Sequence, residues 1–297
     1  MSKPDAGLGA ETLRTGAPAT MVNGESTASP HTLDVVIPVL NEAHVLEKSV
    51  LTVRAFLTEN VQHRWRVVVV DNGSKDGTDR VARSLVERYP DVAFLHLHER
   101  GRGRALRHAW TSGRADVVCY MDVDLSTELA ALPKLVDGIL FDGYDVGTGS
   151  RLLRTSRTTR SFKRELISRI YNLMVRTVLR TTFSDAQCGF KAVSRRAVDT
   201  IVPHIEDQSW FFDTELLTLA EKWGFRILDV PVLWVEDDDS RVKIVKTAWA
   251  DIKGICRVRW YLWRSQVSRQ MQRAAPARLR ERERETYRLA AARSERV

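Results

Sequence analysis

WRVVVVDNGSKDGT, Trp65 to Thr78, begins with an unbroken run of four valines and ends in a turn. A strand with one wet face alternates apolar and polar residues; a continuous β-branched run is a strand buried on both faces. Asp71, Asn72, Gly73 and Ser74 stop it with turn-forming chemistry. A strand covered on both faces belongs in a parallel sheet between two layers of helices. The flanking sequence repeats the theme. Upstream, LDVVIPVLNE (33–42) is an apolar run closed by Pro38 and Asn41, followed by Val45, Leu46, Val50, Val53 and Leu57 at helical spacing. Downstream come a helix from about Thr78 to Arg88, a strand at VAFLHLH (92–98), a glycine-broken loop ERGRGRALRHAW (99–110) opening into a helix, and a strand at DVVCYMDVD (116–124). The expected fold class is α/β, Rossmann-like, a mostly parallel sheet flanked by helices.

In such sheets ligands sit outside the carboxyl ends of the strands. Asn41 and Glu42, Asp71 and Asn72, Arg102, and Asp122 and Asp124 all fall there. Asp122 and Asp124 follow an apolar run, and strand alternation turns both to one side with Val123 on the other. Two neighbouring carboxylates raise each other's pKa, so a cation or a shared proton must hold them. A hard divalent cation, Mg²⁺ or Mn²⁺, is commonly held by one or two carboxylates plus substrate phosphates, and it neutralises a diphosphate leaving group. The plainer reading makes Asp124 a cap for the residues that follow. A phosphatase with Asp122 as nucleophile in the haloacid-dehalogenase pattern fits less well: the motif is mid-chain, Ser126 replaces Thr or Val, and no GDxxxD follows.

Beyond Asp145 the pattern loosens. DVGTGSRLL reads as a short strand or loop, residues 160–182 as a helix with Phe162, Leu166, Ile170, Leu173 and Val178 apolar, and WFFDTELLTLAEKWG as a helix closed by Gly224. RILDVPVLWVE reads as a strand and 244–266 as an amphipathic helix. Residues 1–31 read as a disordered tail, 32–243 as one catalytic domain, and 267–297 as a charged tail of Arg, Glu and Ala. The 297 residues are 43% hydrophobic and carry a net charge of +8, which points to an anionic partner. Cys119, Cys188 and Cys256 follow no CxxC spacing, which fits a reducing compartment. The first 30 residues lack a signal-peptide core and no run of about 18 apolar residues spans a bilayer, so a cytoplasmic protein is expected. His96 and His98 share a strand face without a third ligand nearby.

VIPVLNE, VVVVDNGSKDGT, RGRGRALRHA, MDVDLST, GSR and DAQCGFKA occur in the order seen in family 2 glycosyltransferases of the GT-A fold, and the resemblance covers roughly residues 33–245. Within that family the chain most resembles dolichyl-phosphate (polyprenyl-phosphate) glucosyltransferases, then dolichyl-phosphate mannose synthases; DAQCGFK and WFFDTELL tilt it to the former. The resemblance implies inverting transfer of a hexose, glucose favoured, from a nucleotide sugar, UDP-glucose favoured, to a polyprenyl phosphate. Pro38, Asn41, Glu42 and Asp71 match positions that line the nucleoside, Arg102 a basic position near the nucleotide, and Asp122 and Asp124 the metal pair. Arg151, Arg164 and Ser168 match positions that hold the acceptor phosphate; the last two are four apart and share a helix face. Arg241, after EDDDS, matches a loop that closes near the diphosphate, and Gln187 and Asp213 match the sugar pocket. Glu99 stands where the family often has Asn, and Ser126 where mannose synthases often have Gln.

The acceptor decides whether a base is needed. A phosphate monoester, with its second pKa near ~6, is already a dianionic nucleophile at neutral pH. Positioning and charge then carry the rate, and Asp213 orients sugar hydroxyls. A hydroxyl acceptor would need a base, for which Asp213 is the candidate; Asp213 as a helix N-cap is the third reading. GDP-mannose is the alternative donor. In 244–266 a broad apolar arc carries Trp249, Trp260 and Trp263, with Lys246, Lys253, Arg257 and Arg264 beside it. That pattern suits an interfacial helix on anionic lipid, so the protein is expected to lie peripherally on the inner face of a membrane. A helix packed on its own domain is the alternative. No RNA-binding sheet motif, zinc spacing or heptad pattern supports a nucleic-acid partner.

Overall fold

The computed structural model describes residues 29–159, 161–235 and 244–264; residues 1–28 of the expected N-terminal tail, the expected C-terminal tail, the EDDDS segment and Arg241 lie outside the described residues. The valine run is the middle of β2 (His63–Asn72), parallel to β1 (Ser29–Val39) on one side and β3 (Val92–Leu97) on the other. Val67 and Val69 enter the core on one face of the sheet, Val68 and Val70 the core on the other, and none is more than 4% exposed. Full burial of a valine is worth about 1.5–3 kcal/mol, so this strand anchors both layers.

β1, α1 (Leu46–Asn60), β2, α2 (Thr78–Arg88), β3, α3 (Arg102–Ser112) and β4 (Val117–Met121) follow one another as the sequence predicts. The seven-stranded sheet has the order β3-β2-β1-β4-β7-β5-β8, with β5 (Val146–Ser150), β7 (Phe190–Ser194) and β8 (Ile227–Pro231) completing it. All neighbours are parallel except β7, which is antiparallel to both β4 and β5. α1, α2 and α4 (Leu132–Leu140) cover one face; α3, α5 (Phe162–Leu179), α6 (Arg195–Ile201), α7 (Phe212–Lys222) and α8 (Ile244–Arg264) cover the other. A two-stranded ribbon, β6 (Arg157–Thr159) with β9 (Leu233–Val235), stands apart from the main sheet. The chain leaves β1 for β2 and β3 on one side and returns to β4 on the other, so a crevice opens at the carboxyl ends of β1 and β4.

Two boundaries differ from expectation. β1 begins at Ser29, inside the expected tail. Sheet pairing with His63 and the bonds from Thr32 N and Oγ1 to Asp116 Oδ2 (2.8 and 2.7 Å) hold this polar stretch, and neither leaves an apolar signature. The second concerns α8. Its inner face, Asp251, Gly254, Ile255 and Val258, is buried, while Trp249, Trp260 and Trp263 are 54–72% exposed. Arg257 is not in the solvent stripe: it turns inward to Glu215 (2.8 Å to each oxygen) and to Glu206 (3.1 Å). The helix is packed on its own domain through this inner face, and the tryptophan face is left exposed. No described helix is long and apolar enough to cross a membrane.

Candidate active site

β4 ends at Met121, so Asp122 and Asp124 lie in a turn and strand alternation does not orient them. Leu125 takes a left-handed conformation (φ 52°), its N–H donates to Asp122 O (3.2 Å), and Ser126 N donates to Asp124 Oδ1 (2.9 Å). The two carboxylates still influence each other, but their surroundings differ. Arg102 Nη2 stands 2.6 Å from Asp122 Oδ1, so the cation facing Asp122 is a guanidinium from the start of α3. Gly189 makes room for this carboxylate: a Cβ there would collide with Asp122 Oδ2. Asp122 lies at the foot of the cleft, although 42% of its side chain opens to the mouth. Burial raises its carboxyl to about 6, with Arg102 opposing and Asp124 adding to the rise. Asp124 is exposed and forms no ion pair among the described residues.

Arg102 organises the floor. Its guanidinium lies over the rings of Tyr120 (5.0 Å) and Trp210 (4.9 Å), and its Nη1 is 3.6 Å from Asp213 Oδ2. Asp213 is not an N-cap; Phe211 holds that position and Asp213 sits in the first turn of α7. It is buried, accepts from Tyr120 OH (2.5 Å), and has Lys191 Nζ at 3.6 Å. Lys191, itself buried, donates to Cys188 O (2.5 Å) and Ala186 O (3.3 Å). One carboxylate oxygen is thus occupied by Tyr120 and Lys191, and the other faces Arg102. The segment 185–191 supplies Lys191, the Ala186 and Cys188 carbonyls and Gly189 to this floor, and it also carries Gln187.

The nucleoside positions converge at the ends of β1 and β2. Asn41, with φ 58°, donates from its N–H to Ser74 Oγ (2.8 Å), and its Oδ1 accepts from Lys75 N (2.8 Å). Glu42 N donates to Thr78 Oγ1 (2.9 Å). Pro38 lies in β1 opposite Val70. Asp71 is fully buried and engaged on both oxygens, by Ser74 N (3.0 Å) and His96 Nδ1 (3.0 Å). A nucleoside donor reaching Asp71 must share it with His96. That bond also accounts for the histidine of the 96/98 pair nearer the site.

On the acceptor side, Arg151 is clamped to Asp185 through Nε (2.7 Å), Nη2 (3.0 Å) and its backbone N–H (3.1 Å). Burial would raise Asp185, but Arg151 outweighs it and holds the carboxyl down at about 2. Asn172 on α5 accepts from Ala186 N (2.8 Å) and donates to Ser168 O (3.0 Å), which ties Ser168 to the same corner. The Ser168 hydroxyl is buried and has no partner among the described residues. A buried hydroxyl without a protein partner is open to a hydrogen bond from water or a ligand atom. Arg164 is half-buried one turn earlier on the helix.

A family model described as Glycosyl transferase family 2 matches residues 34–202, more than half of the chain. The chain belongs to glycosyl transferase family 2. It is therefore a glycosyltransferase. It is 35% identical over 252 residues to glycosyltransferase AglD of Haloferax volcanii, covering 83% of this chain but only 40% of that protein. It is 30% identical to the dolichyl-phosphate beta-glucosyltransferase of Homo sapiens, over 71% of this chain and 69% of that one. Its fold matches glucosyl-3-phosphoglycerate synthase from Mycobacterium tuberculosis, solved in complex with UDP, at a TM-score of 0.60 with 20% identity, over 77% of this chain and 80% of that one. The same enzyme with Mn²⁺, UDP-glucose and phosphoglyceric acid matches at 0.59.

Several groups packed around these candidate residues of this family 2 glycosyltransferase carry no mark in the sequence. Lys191 and Asp185 sat inside the quoted DAQCGFKA motif, but nothing in a motif says that a lysine is buried under Asp213 or that an aspartate clamps an arginine. Tyr120 read as one more apolar residue of β4.

Proposed function

We propose that this glycosyltransferase moves a glucosyl unit, with inversion, from UDP-glucose to a polyprenyl phosphate. The observation that supports this best is the pairing of an anionic turn at the switch point with a second group of residues able to hold a phosphate. The first is Asp122 and Asp124 beside Arg102; the second is Arg151, Arg164 and the orphan hydroxyl of Ser168. The relatives named dolichyl-phosphate beta-glucosyltransferase support both substrates, and the neighbour solved with UDP-glucose supports the donor.

Asp122 and Asp124 fit a hard divalent cation, Mg²⁺ or Mn²⁺. Among the described residues no third acidic, histidine or cysteine ligand joins them, which suits a metal completed by phosphate oxygens and water. When bound there, such an ion would neutralise charge on the departing diphosphate. Arg102 adds a fixed positive charge on the same side. The acceptor phosphate is a dianion near neutral pH and attacks without a protein base. Asp213, held by Tyr120, Lys191 and Arg102, then orients the sugar rather than moving a proton. Arg151, Arg164 and Ser168 hold the acceptor, whereas Pro38, Asn41, Glu42 and Asp71 frame the nucleoside.

A lipid acceptor places the enzyme at a bilayer, and one side of the molecule suits that. Leu166, Ile167, Ile170 and Leu173 on α5 are exposed, as are Trp249, Trp260 and Trp263 on the neighbouring α8. Lys253 lies over Trp249 (5.4 Å) and Arg264 over Trp260 (4.6 Å), placing charge at the rim of the apolar face. This is the chemistry of peripheral binding to anionic lipid.

The test is product formation from a panel of radiolabelled nucleotide sugars with a polyprenyl phosphate, in Mg²⁺, in Mn²⁺ and in EDTA. A lipid-extractable, EDTA-sensitive product from UDP-glucose supports the whole reading. A product from GDP-mannose alone overturns the donor, and an EDTA-resistant product overturns the metal.

A further inference from the structure

The inner face of α8 carries an acidic side chain that the reaction described so far does not use. Asp251 is 4% exposed and forms no ion pair among the described residues. Its only hydrogen bond there is from Gln187 Nε2 to Oδ2, at 3.4 Å. A carboxylate taken out of water without a cation is expensive, so its retention needs a reason. The helix is brought unusually close at this point. Gly254, one turn on, packs directly on the ring of Phe211, where any Cβ would overlap it. Arg257, a further turn along, is locked to Glu215. Asp251 is therefore held in place by the docking of α8 rather than placed by chance.

Gln187 is half-buried within the 185–191 segment, between the Asp185–Arg151 clamp, Gly189 against Asp122, and Lys191 beneath Asp213. A side-chain amide is two-faced: its NH₂ only donates and its oxygen only accepts. An ionised carboxylate only accepts, so it fixes which face it receives. With its NH₂ turned to Asp251, Gln187 keeps its carbonyl oxygen as an acceptor, on the same segment that carries Gly189 and Lys191 of the site.

We propose that Asp251 is a positioning residue for the transferred sugar, acting through Gln187: it fixes the amide so that the Gln187 oxygen accepts from a sugar hydroxyl. The inference rests on the UDP-glucose reading given above. It assigns α8 a second task, since the helix that shows its tryptophans to solvent also sets the polarity of one wall of the sugar pocket.

The test is calorimetric binding of UDP-glucose and of UDP to the full chain, as wild type, D251N, Q187A and the double variant. Measurements are made at pH 8, where the Asp251 carboxyl, raised to about 7 by burial and by nearby Asp207, is ionised. Asn at 251 keeps the shape but pairs with Gln187 in either orientation. Loss of one oriented hydrogen bond weakens UDP-glucose about fivefold. UDP, which lacks the sugar, binds all four proteins alike and so reports that each is folded. D251N has no further effect in the Q187A background. The inference is overturned if D251N binds UDP-glucose like the wild type. It is equally overturned if UDP weakens in parallel, or if the loss persists in Q187A. Wild-type protein that ignores UDP-glucose but binds another nucleotide sugar overturns the donor assignment instead, and the same cycle with that sugar and its nucleotide then decides the role of Asp251.

Discussion

Replacing Asp185 by Asn removes one charge from a pair sealed inside the site. Asp185 is fully buried, and 13% of the Arg151 side chain is exposed, so solvent screens the pair little. The native carboxyl is held at about 2, against about 3.9 for an unperturbed aspartate, and that difference corresponds to about 2–3 kcal/mol. Because the folded value is depressed, this stability is present in full above the unfolded value and is lost as pH falls through the folded one. Asn still accepts hydrogen bonds from Arg151, yet it leaves the guanidinium without its counter-charge. The whole loss therefore lies near 2–4 kcal/mol at pH 7, below or within the cost of breaking a buried pair outright. Each kcal/mol moves the melting point of a domain of this size about 2–4 °C, so Asp185→Asn should melt roughly 5–15 °C lower. Urea denaturation of both proteins at pH 7 and near pH 3 is the assay. The gap attributable to ionisation should shrink to about half near pH 3. A variant as stable as the wild type at pH 7 would refute the reasoning, as would a gap that widens in acid.

Asp124→Ala should change stability by no more than about 0.5 kcal/mol, since the side chain is exposed, while lowering metal-dependent transfer about 100-fold or more. Thermal melting beside product assays checks both halves. Ser168→Ala removes a buried hydroxyl that has no partner among the described residues, so folding stability should hold or rise slightly while the KM for the lipid phosphate increases about five- to tenfold. A fall in stability with an unchanged KM would make Ser168 structural. Trp260→Ala with Trp263→Ala should weaken sedimentation with anionic vesicles about tenfold or more, and binding of the wild type should fall with added salt. Undiminished sedimentation would remove α8 from the membrane reading.

The alternation of strand and helix from Leu33 to Met121 was legible because burial on both faces writes itself as unbroken valine and isoleucine. Position along the strands then placed Asp71, Asp122 and Asp124 at the open edge of the sheet. What stayed hidden depends on partners distant in sequence. Asp122 looked like half of a strand-borne pair, but a left-handed Leu125 turns the chain, and Arg102, 20 residues earlier, supplies the counter-charge. Arg257 read as part of a basic stripe because helical periodicity gives its face but not the Glu215 that draws it inward. Asp251 could not be read at all: on paper it is a lone acid in a basic, tryptophan-rich helix. The motif resemblance named the candidate positions; the charge pairs among them needed coordinates.

The central claim is that the nucleophile is a lipid phosphate and that the protein supplies position and charge rather than a base. The most direct measurement offers radiolabelled UDP-glucose to the enzyme with equimolar polyprenyl phosphate and polyprenol in Mg²⁺, and separates the lipid products. The account predicts label on the phosphate-bearing lipid alone. Label on the polyprenol, or no labelled lipid beside a labelled soluble product, would contradict it.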